Sequence, residues 1–175
     1  MDADGMLGLR FFSGRQLPVL RQSEAAECGL VCVAMVASYW GHQLDVATMR
    51  QRFAVSLKGT TLRTLLSMAE RLRLQARPLK LDIDHLGQLR LPCVLHWDMQ
   101  HFVVLKAVKA GAVVIHDPAF GERTIAMQEV SRRFSGVAVE LVPASGFEQR
   151  DERGRVRLRM LVGRVVGHRR GLLQV

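Results

Sequence analysis

Three residues that together can perform nucleophilic catalysis lie far apart in the sequence, at Cys28, His101 and Asp117. A thiolate can attack a carbonyl carbon, an imidazole can exchange the proton, and a carboxylate can orient the imidazole. Cys28 stands at the predicted start of a helix, where unpaired backbone N–H groups and the helix dipole favour the thiolate. A cysteine at such a position is more often a packing residue, so its role depends on its partners.

A fourth residue, Gln22, fits the same chemistry. Acyl transfer needs a hydrogen-bond donor for the oxyanion of the tetrahedral intermediate. Gln22 lies six residues before Cys28 on the approach to the helix, and its side-chain amide can act together with the Cys28 backbone N–H. A single glutamine is weak evidence. Glutamine, cysteine-glycine, histidine and aspartate in this order are together much stronger.

The elements that must position these residues follow from the apolar periodicity. Spacings of three and four predict a helix with one buried stripe from residue 29 until Gly41 ends it. Asp45 is a candidate N-cap for a helix over 45–53, and Thr60 or Thr61 for a helix over LRTLLSMAERLRL. The later segments PCVLHW, HFVVLKAVK and AVVIHDP are predicted strands, followed by a helix over 127–134 and a strand over 136–142. We therefore expect an α+β fold, with an N-terminal helical half packed on a C-terminal antiparallel sheet.

A hairpin turning near residues 109–112 would bring the start of one strand beside the end of the next. Side chains alternate between the two faces along a strand. His101 and Asp117 therefore share a face if the residue numbers of each pair that lies opposite across the hairpin add up to an even number. His116 then points to the other face. This register is an assumption at the level of sequence, and it predicts an imidazole beside a carboxylate.

The other histidines and cysteines are predicted to be structural or solvent-exposed. His96 is the main competitor of His101, but its odd offset in sequence puts it on the opposite face. A structural zinc is not expected, because the Cys28 and Cys32 pair is spaced CxxxC without a nearby pair of histidines. Predicted core residues are Cys32 and Cys93, and the predicted solvent-exposed histidines are His42, His85 and His168.

Composition and charge limit the possible function classes. The 175 residues suit one domain plus a tail, without an apolar run that could span a bilayer and without a secretory signal. Three cysteines, an odd number, fit a reducing, cytosolic setting. Residues 1–144 carry 17 basic and 13 acidic side chains, whereas residues 145–175 carry 8 and 3. The formal charge of +9 is therefore concentrated in the tail. The tail is predicted to be a linker leading into a basic amphipathic segment, beside a membrane or docked on a neighbouring domain, or else a solvated charged helix.

The sequence RQSEAAECGLVCVAMVASYWG resembles the Q-x-x-x-x-x-C-G signature of family C39 cysteine peptidases, the papain-like N-terminal domains of bacteriocin-exporting ABC transporters. The similarity continues through RFAVSLKGTTLRTLLSMAERL, LPCVLHWDMQHFVVL and IHDPAFGERTI, over residues 20–143. It is nearest to the colicin V type of secretion transporter. The blocks are separate and occur in the expected order, which makes the resemblance specific.

The resemblance implies a papain-like cysteine peptidase that removes a double-glycine leader from a bacteriocin or microcin precursor, coupled to export. It implies Cys28 as nucleophile, His101 as general base, Asp117 as its orienting carboxylate and Gln22 as oxyanion donor. Gln100, next to His101, stands where relatives often have asparagine.

The same resemblance implies the setting of the domain. Residues 1–144 would be the peptidase domain, and 145–175 a linker and basic juxtamembrane segment at the cytoplasmic face of the bacterial inner membrane. The expected partners are the precursor peptide and the transmembrane and nucleotide-binding domains of a transporter. No cofactor is expected for this domain, because the chain has no P-loop motif, and ATP and Mg²⁺ belong to the nucleotide-binding domain.

Three alternatives remain at the level of sequence. The domain is either part of a longer protein or a stand-alone peptidase. A non-cleaving domain that only binds leader peptides is the main functional alternative, although the retained Cys, His and Asp argue against it. A nucleic-acid-binding protein is the other, and the concentration of the charge in the tail without a recognised motif argues against that one.

Overall fold

The computed structural model describes residues 14–53 and 59–154, and the helical elements come first in the chain. In chain order they are a short 3-10 helix Ala25–Glu27, α1 (Cys28–Tyr39), the short strand β1 (His42–Gln43), α2 (Val46–Arg52) and α3 (Leu62–Arg71). Asp45 caps α2 by accepting from the Thr48 N–H at 2.7 Å, and Thr61 caps α3 by accepting from the Thr64 N–H at 3.2 Å. The three predicted helices are thus confirmed, and so are the predicted N-caps Asp45 and Thr61.

The second half of the chain forms the sheet. Its elements are β2 (Leu74–Lys80), a 3-10 helix Ile83–Gln88, β3 (Cys93–Trp97), β4 (His101–Lys109), β5 (Ala112–Asp117), β6 (Gly121–Ala126), α4 (Met127–Arg133), β7 (Phe134–Pro143) and β8 (Arg150–Asp151). Six strands pair antiparallel in the order β2-β7-β3-β4-β5-β6. The predicted α+β layout is confirmed. The sequence analysis misses β2 and β6, and these are the two edge strands of the sheet.

Alternation along the strands divides the core between the two faces of the sheet. Val94 and Val104 pack with residues of α1, α2 and α3 on one face. Leu95 and Leu105 pack on the other face, where Leu86 of the second 3-10 helix and Val130 of α4 cover them. The sheet is therefore covered on both faces, and α1 belongs to the thicker, helical layer.

The prediction that α1 has one buried stripe is wrong. Every residue from Cys28 to Ser38 is buried. The helix lies between α2 and α3 and also packs against β3 and β4, so no face is left for solvent. The helix that begins at Cys28 is thus a central element of the domain rather than a surface helix.

Residues 145–154 contact the domain rather than leaving it at once. Phe147 packs against the helical core, and β8 pairs in parallel with β1. The Glu152 N–H donates to the Gln43 carbonyl at 2.9 Å, and the Thr48 hydroxyl donates to the Glu152 carbonyl at 2.9 Å. The rest of the predicted basic segment, with His168, lies outside the described residues, so the domain boundary stays a prediction. No helix within the two described ranges is long and apolar enough to cross a membrane.

Candidate active site

Cys28 occupies the first position of α1, directly after the 3-10 helix, and is 2% exposed. The preceding residue, Glu27, makes no side-chain capping bond to α1. The first N–H groups of the helix therefore have no side-chain cap, and the positive end of the dipole of a 12-residue helix lies beside the thiol. The thiol thus lies at the end of the helix where backbone N–H groups and the dipole attract negative charge.

Glycine at position 29 is required by a close approach of another segment. A Cβ atom at this position would lie 2.5 Å from Thr60 Cγ2 and 2.8 Å from Thr60 Cβ. The Thr60 hydroxyl also donates to the Ala26 carbonyl at 3.2 Å. The cysteine-glycine pair therefore has two separate causes: the cysteine carries the thiol, and the glycine lets the segment before α3 pack against the start of α1.

His101 and Asp117 meet at one end of the sheet. His101 Nε2 lies 2.9 Å from Asp117 Oδ1, and the Ala119 N–H donates to the same oxygen at 2.8 Å. The Asp117 side chain is 3% exposed and the His101 side chain is 20% exposed. The carboxylate is thus fixed from two sides, and it leaves Nδ1 of the imidazole available for exchange of a proton with Cys28.

A register shift in the β4–β5 hairpin makes this contact possible. Next to the turn, Lys109 pairs with Ala112, and the residue numbers of each pair add up to an odd number. The register shifts by one between Leu105 and Ala107, and Leu105 then pairs with Ile115, so the sum becomes even. A bulge of this kind moves all later side chains to the opposite face. The predicted even register therefore holds at the site only because of the bulge.

The charge state of the pair follows from its surroundings. Burial acts to lower the pKa of His101, but its hydrogen bond to Asp117 and its interactions with Cys28 outweigh burial and raise this pKa to about 9. Burial acts to raise the pKa of Asp117, whereas the hydrogen bond with His101 and the Ala119 N–H lower it, with a net lowering. At neutral pH the imidazole is therefore protonated beside an ionised carboxylate. A protonated imidazole is also the natural partner of a thiolate.

A backbone hydrogen bond holds Gln22 near the pair of His101 and Asp117. Its N–H donates to the Pro118 carbonyl at 2.9 Å, so the segment before α1 is attached to the residue that follows Asp117. The Gln22 Oε1 atom is buried and has no hydrogen-bond partner in the described part of the chain. The side chain thus lines the cleft with one acceptor atom that the described residues leave unpaired.

These residues border an open cleft of about 480 Å³. Its two walls come from the helical half and from the ends of the strands. The lining residues include Gln22, Ala25, Gly59, Gln100, His101 and Phe120. Phe120 is 66% exposed, and Arg123 lies over its ring. The cleft, which Gln22 and His101 both line, has room for an extended peptide segment.

Most of the other predicted positions are confirmed, and one is wrong. Cys32 and Cys93 are buried core residues, and burial raises the pKa of both thiols. His96 bonds to the Ser135 hydroxyl at 2.7 Å, which is a structural role. His85 is exposed as predicted. His42 is not exposed: it is 2% exposed in β1, because residues 145–154 cover it and Arg150 donates to its Nε2 atom at 3.1 Å.

The sequence analysis misses one buried acid beside the site. Glu27 is 5% exposed, and its carboxylate accepts hydrogen bonds from backbone N–H groups and from Arg50 of α2. A charged residue directly before an apolar helix was the available local signal. Its partner lies 23 residues away in sequence, and no pattern indicates that contact.

Comparison with known proteins agrees with this geometry. The sequence profile of the peptidase C39 family matches residues 16–146. The chain is 43% identical over 161 residues to the colicin V secretion/processing ATP-binding protein CvaB of Escherichia coli. It is 42% identical over 161 residues to the probable microcin-H47 secretion/processing ATP-binding protein MchF of the same species. Each alignment covers 92% of this chain and 23% of the relative, so the chain spans about a quarter of the length of these proteins.

A solved structure extends the comparison to the fold. It is the double glycine motif protease of an AMS/PCAT transporter in complex with the leader peptide, which matches with a TM-score of 0.69 and 32% identity. The match covers 77% of this chain and 96% of that chain. The predicted papain-like fold is thereby confirmed.

Proposed function

Because the chain belongs to the peptidase C39 family, we propose that it is a cysteine endopeptidase that removes a double-glycine leader from a precursor peptide. The observation that carries this proposal is the contact of His101 Nε2 with Asp117 at 2.9 Å, beside a cysteine at the start of a helix. Cysteine, protonated imidazole and carboxylate are the groups that acyl transfer through a thiolate requires.

The proposed reaction begins with attack of the Cys28 thiolate on the carbonyl carbon of the second leader glycine. The Gln22 amide and the Cys28 backbone N–H stabilise the oxyanion of the tetrahedral intermediate. His101 donates its proton to the leaving amine, and a thioester between the leader and Cys28 remains. His101 then takes a proton from water, the hydroxide attacks the thioester, and the leader leaves with a free carboxylate.

The setting of this activity is also part of the proposal. We infer a peptidase domain of a membrane-associated peptide exporter, because two relatives that are 42% and 43% identical to the chain are named secretion/processing ATP-binding proteins and the chain spans about a quarter of their length. The precursor peptide and the transmembrane and nucleotide-binding domains of the exporter are the proposed partners. The site would then face the cytoplasm, and the peptidase itself would need no cofactor.

Cleavage of synthetic precursors tests the proposal directly. We expect mass spectrometry to show one cut, immediately after the second glycine of a Gly-Gly leader, because a solved relative that is 32% identical to this chain is described as a double glycine motif protease. The matched control is the same peptide with the second glycine replaced by valine, which should not be cut. Binding of the first peptide without any cut would favour the non-cleaving alternative.

The raised pKa of His101 predicts the alkaline limb of the pH profile. We expect kcat/KM to fall as the pH rises through about 9, because the imidazolium that pairs with the thiolate and donates to the leaving amine loses its proton.

The same pKa affects the stability of the domain. The pKa of His101 in the folded protein is raised above its unfolded value of about 6.5. The stability that the pair with Asp117 contributes is therefore complete below about pH 6.5 and is lost as the pH rises through the folded pKa.

Replacement of the carboxylate provides the check on this assignment. Asp117→Asn should move the alkaline limb to lower pH, because the asparagine no longer stabilises the imidazolium. Asp98→Asn is the control, since Asp98 lines the same cleft but pairs with Arg133 at 3.1 Å. An alkaline limb that stays in place in Asp117→Asn, or one that moves equally in both variants, would contradict the assignment.

A further inference from the structure

Glu27 ties together three segments around the start of α1. The backbone N–H groups of Ser23 and Glu24 both donate to its Oε2 atom at 3.0 Å. Arg50 of α2 donates to the same oxygen through Nη2 at 2.8 Å, and to Oε1 through Nε. The Glu27 carboxylate therefore connects the start of α1 to two other segments: the residues that follow Gln22, and helix α2.

This carboxylate is ionised although it is buried. The hydrogen bond from Arg50 lowers the pKa of Glu27 to about 2, with the two backbone N–H groups in support, whereas burial opposes them. Its negative charge is paired with the Arg50 guanidinium. The benefit of Glu27 to catalysis must therefore come from the geometry that it imposes and not from its charge.

The geometry concerns Gln22. Ser23 and Glu24, which Glu27 holds, directly follow Gln22, and the Gln22 N–H is fixed on its other side to the Pro118 carbonyl at 2.9 Å. The backbone on both sides of Gln22 is thus fixed. The Gln22 side chain itself has a buried Oε1 atom without a partner in the described residues, so no side-chain hydrogen bond at that atom holds it in place.

We propose that Glu27, held by Arg50, is a positioning residue that fixes the Gln22 amide relative to the Cys28 backbone N–H for stabilisation of the oxyanion. The inference rests on the proposed peptidase function. Oxyanion donors act only when they lie within hydrogen-bond distance of the developing charge, and a displacement of about 1 Å can reduce the rate by up to about a hundredfold. Loss of the Glu27 contacts should therefore reduce kcat and leave KM almost unchanged.

The chain offers a matched control for the cost of removing such a pair. Glu140 of β7 is also 5% exposed, accepts from the Arg90 N–H at 2.8 Å, and pairs with Arg77 at 2.8 Å. None of these three residues lines the cleft. Glu140→Gln thus reports the general effect of removing a buried, arginine-paired carboxylate from this domain.

A double-mutant cycle tests the inference. Glu27→Gln should reduce kcat for a Gly-Gly precursor about tenfold in the wild-type background, and less than about twofold in the Gln22→Ala background, because its effect passes through Gln22. The rate of alkylation of Cys28 by iodoacetamide should change less than about twofold, because alkylation needs no oxyanion donor. Glu140→Gln should leave kcat unchanged per folded molecule.

Several results would overturn the inference. One is a loss of kcat from Glu27→Gln that is equal in the wild-type and Gln22→Ala backgrounds. Another is a loss of the alkylation rate of Cys28 as large as the loss of kcat. A third is a loss of kcat in Glu140→Gln equal to that in Glu27→Gln. If Glu27→Gln does not fold, Arg50→Ala replaces it, because the carboxylate then keeps its two backbone bonds; its smaller loss of kcat should also disappear in Gln22→Ala. A wild-type protein that cuts no precursor would instead contradict the proposed function itself.

Discussion

Replacement of Cys28 with alanine is expected to abolish cleavage of a Gly-Gly precursor, with a loss of at least about 10⁴-fold in kcat, because removal of a nucleophile leaves only binding and oxyanion stabilisation. The side chain is 2% exposed and small, so the change removes one sulfur atom without opening a large cavity. Binding of the leader should stay within about threefold of wild type, because the thiol adds little to the contact area. Cleavage is measured by mass spectrometry and binding by fluorescence anisotropy of a labelled leader.

Cys32→Ala is the matched control for this variant. Cys32 lies one turn further along α1, is fully buried, and has a thiol pKa that burial raises. Its thiol therefore stays neutral and cannot replace Cys28. Cys32→Ala should keep kcat within about twofold per folded molecule, although a buried truncation lowers the free energy of unfolding by roughly 1 kcal/mol. Residual cleavage by Cys28→Ala at the same bond, or loss of cleavage in a folded Cys32→Ala, would refute the assignment of the nucleophile.

The second large effect is expected at Gln22. Gln22→Ala should reduce kcat by on the order of 10²- to 10³-fold, or about 2.7–4 kcal/mol, because it removes one donor to the oxyanion. KM should change little, since the oxyanion exists only in the tetrahedral intermediate and the transition states that flank it. The rate of alkylation of Cys28 should be almost unchanged, which separates a defect in oxyanion stabilisation from a defect in the thiolate.

An exposed glutamine gives the control for this prediction. Gln88 ends the second 3-10 helix and is exposed, and it does not line the cleft. Gln88→Ala should therefore match wild type in kcat, KM and thermal unfolding. A Gln22→Ala variant that keeps kcat and shows only a raised KM would assign Gln22 to ground-state binding of the peptide.

The helices and the inner strands could be predicted because their signals are local. Asp45 and Thr61 are polar residues at the positions where helices begin, and the segments that form β3, β4 and β5 are rich in β-branched residues. The missed strands β2 and β6 are the edges of the six-stranded sheet, and the two-residue strands β1 and β8 were missed as well. β2 contains Pro78, and half of the residues of β6 are polar. Such residues are tolerated at an edge, where half of the backbone groups have no partner strand.

The candidate site was predicted from residue types and from the resemblance, whereas its geometry was not. The contact between His101 and Asp117 depends on a one-residue shift of register, and the sequence of β4 has no glycine or proline that marks the bulge. The complete burial of α1 depends on packing from several sides, which a periodicity argument for one helix does not include. The pairing of Glu27 with Arg50 joins two helical segments across the fold and likewise has no local signal.

The contact between Gly29 and Thr60 has a consequence for the evolution of this domain. No side chain fits at position 29 while Thr60 Cγ2 occupies that space. Thr60 is itself held by the hydrogen bond from its hydroxyl to the Ala26 carbonyl. Positions 29 and 60 are thus coupled in evolution. A larger residue at 29 becomes acceptable only after a smaller residue has replaced Thr60. An alanine at position 29 acquired alone would therefore force Thr60 to move.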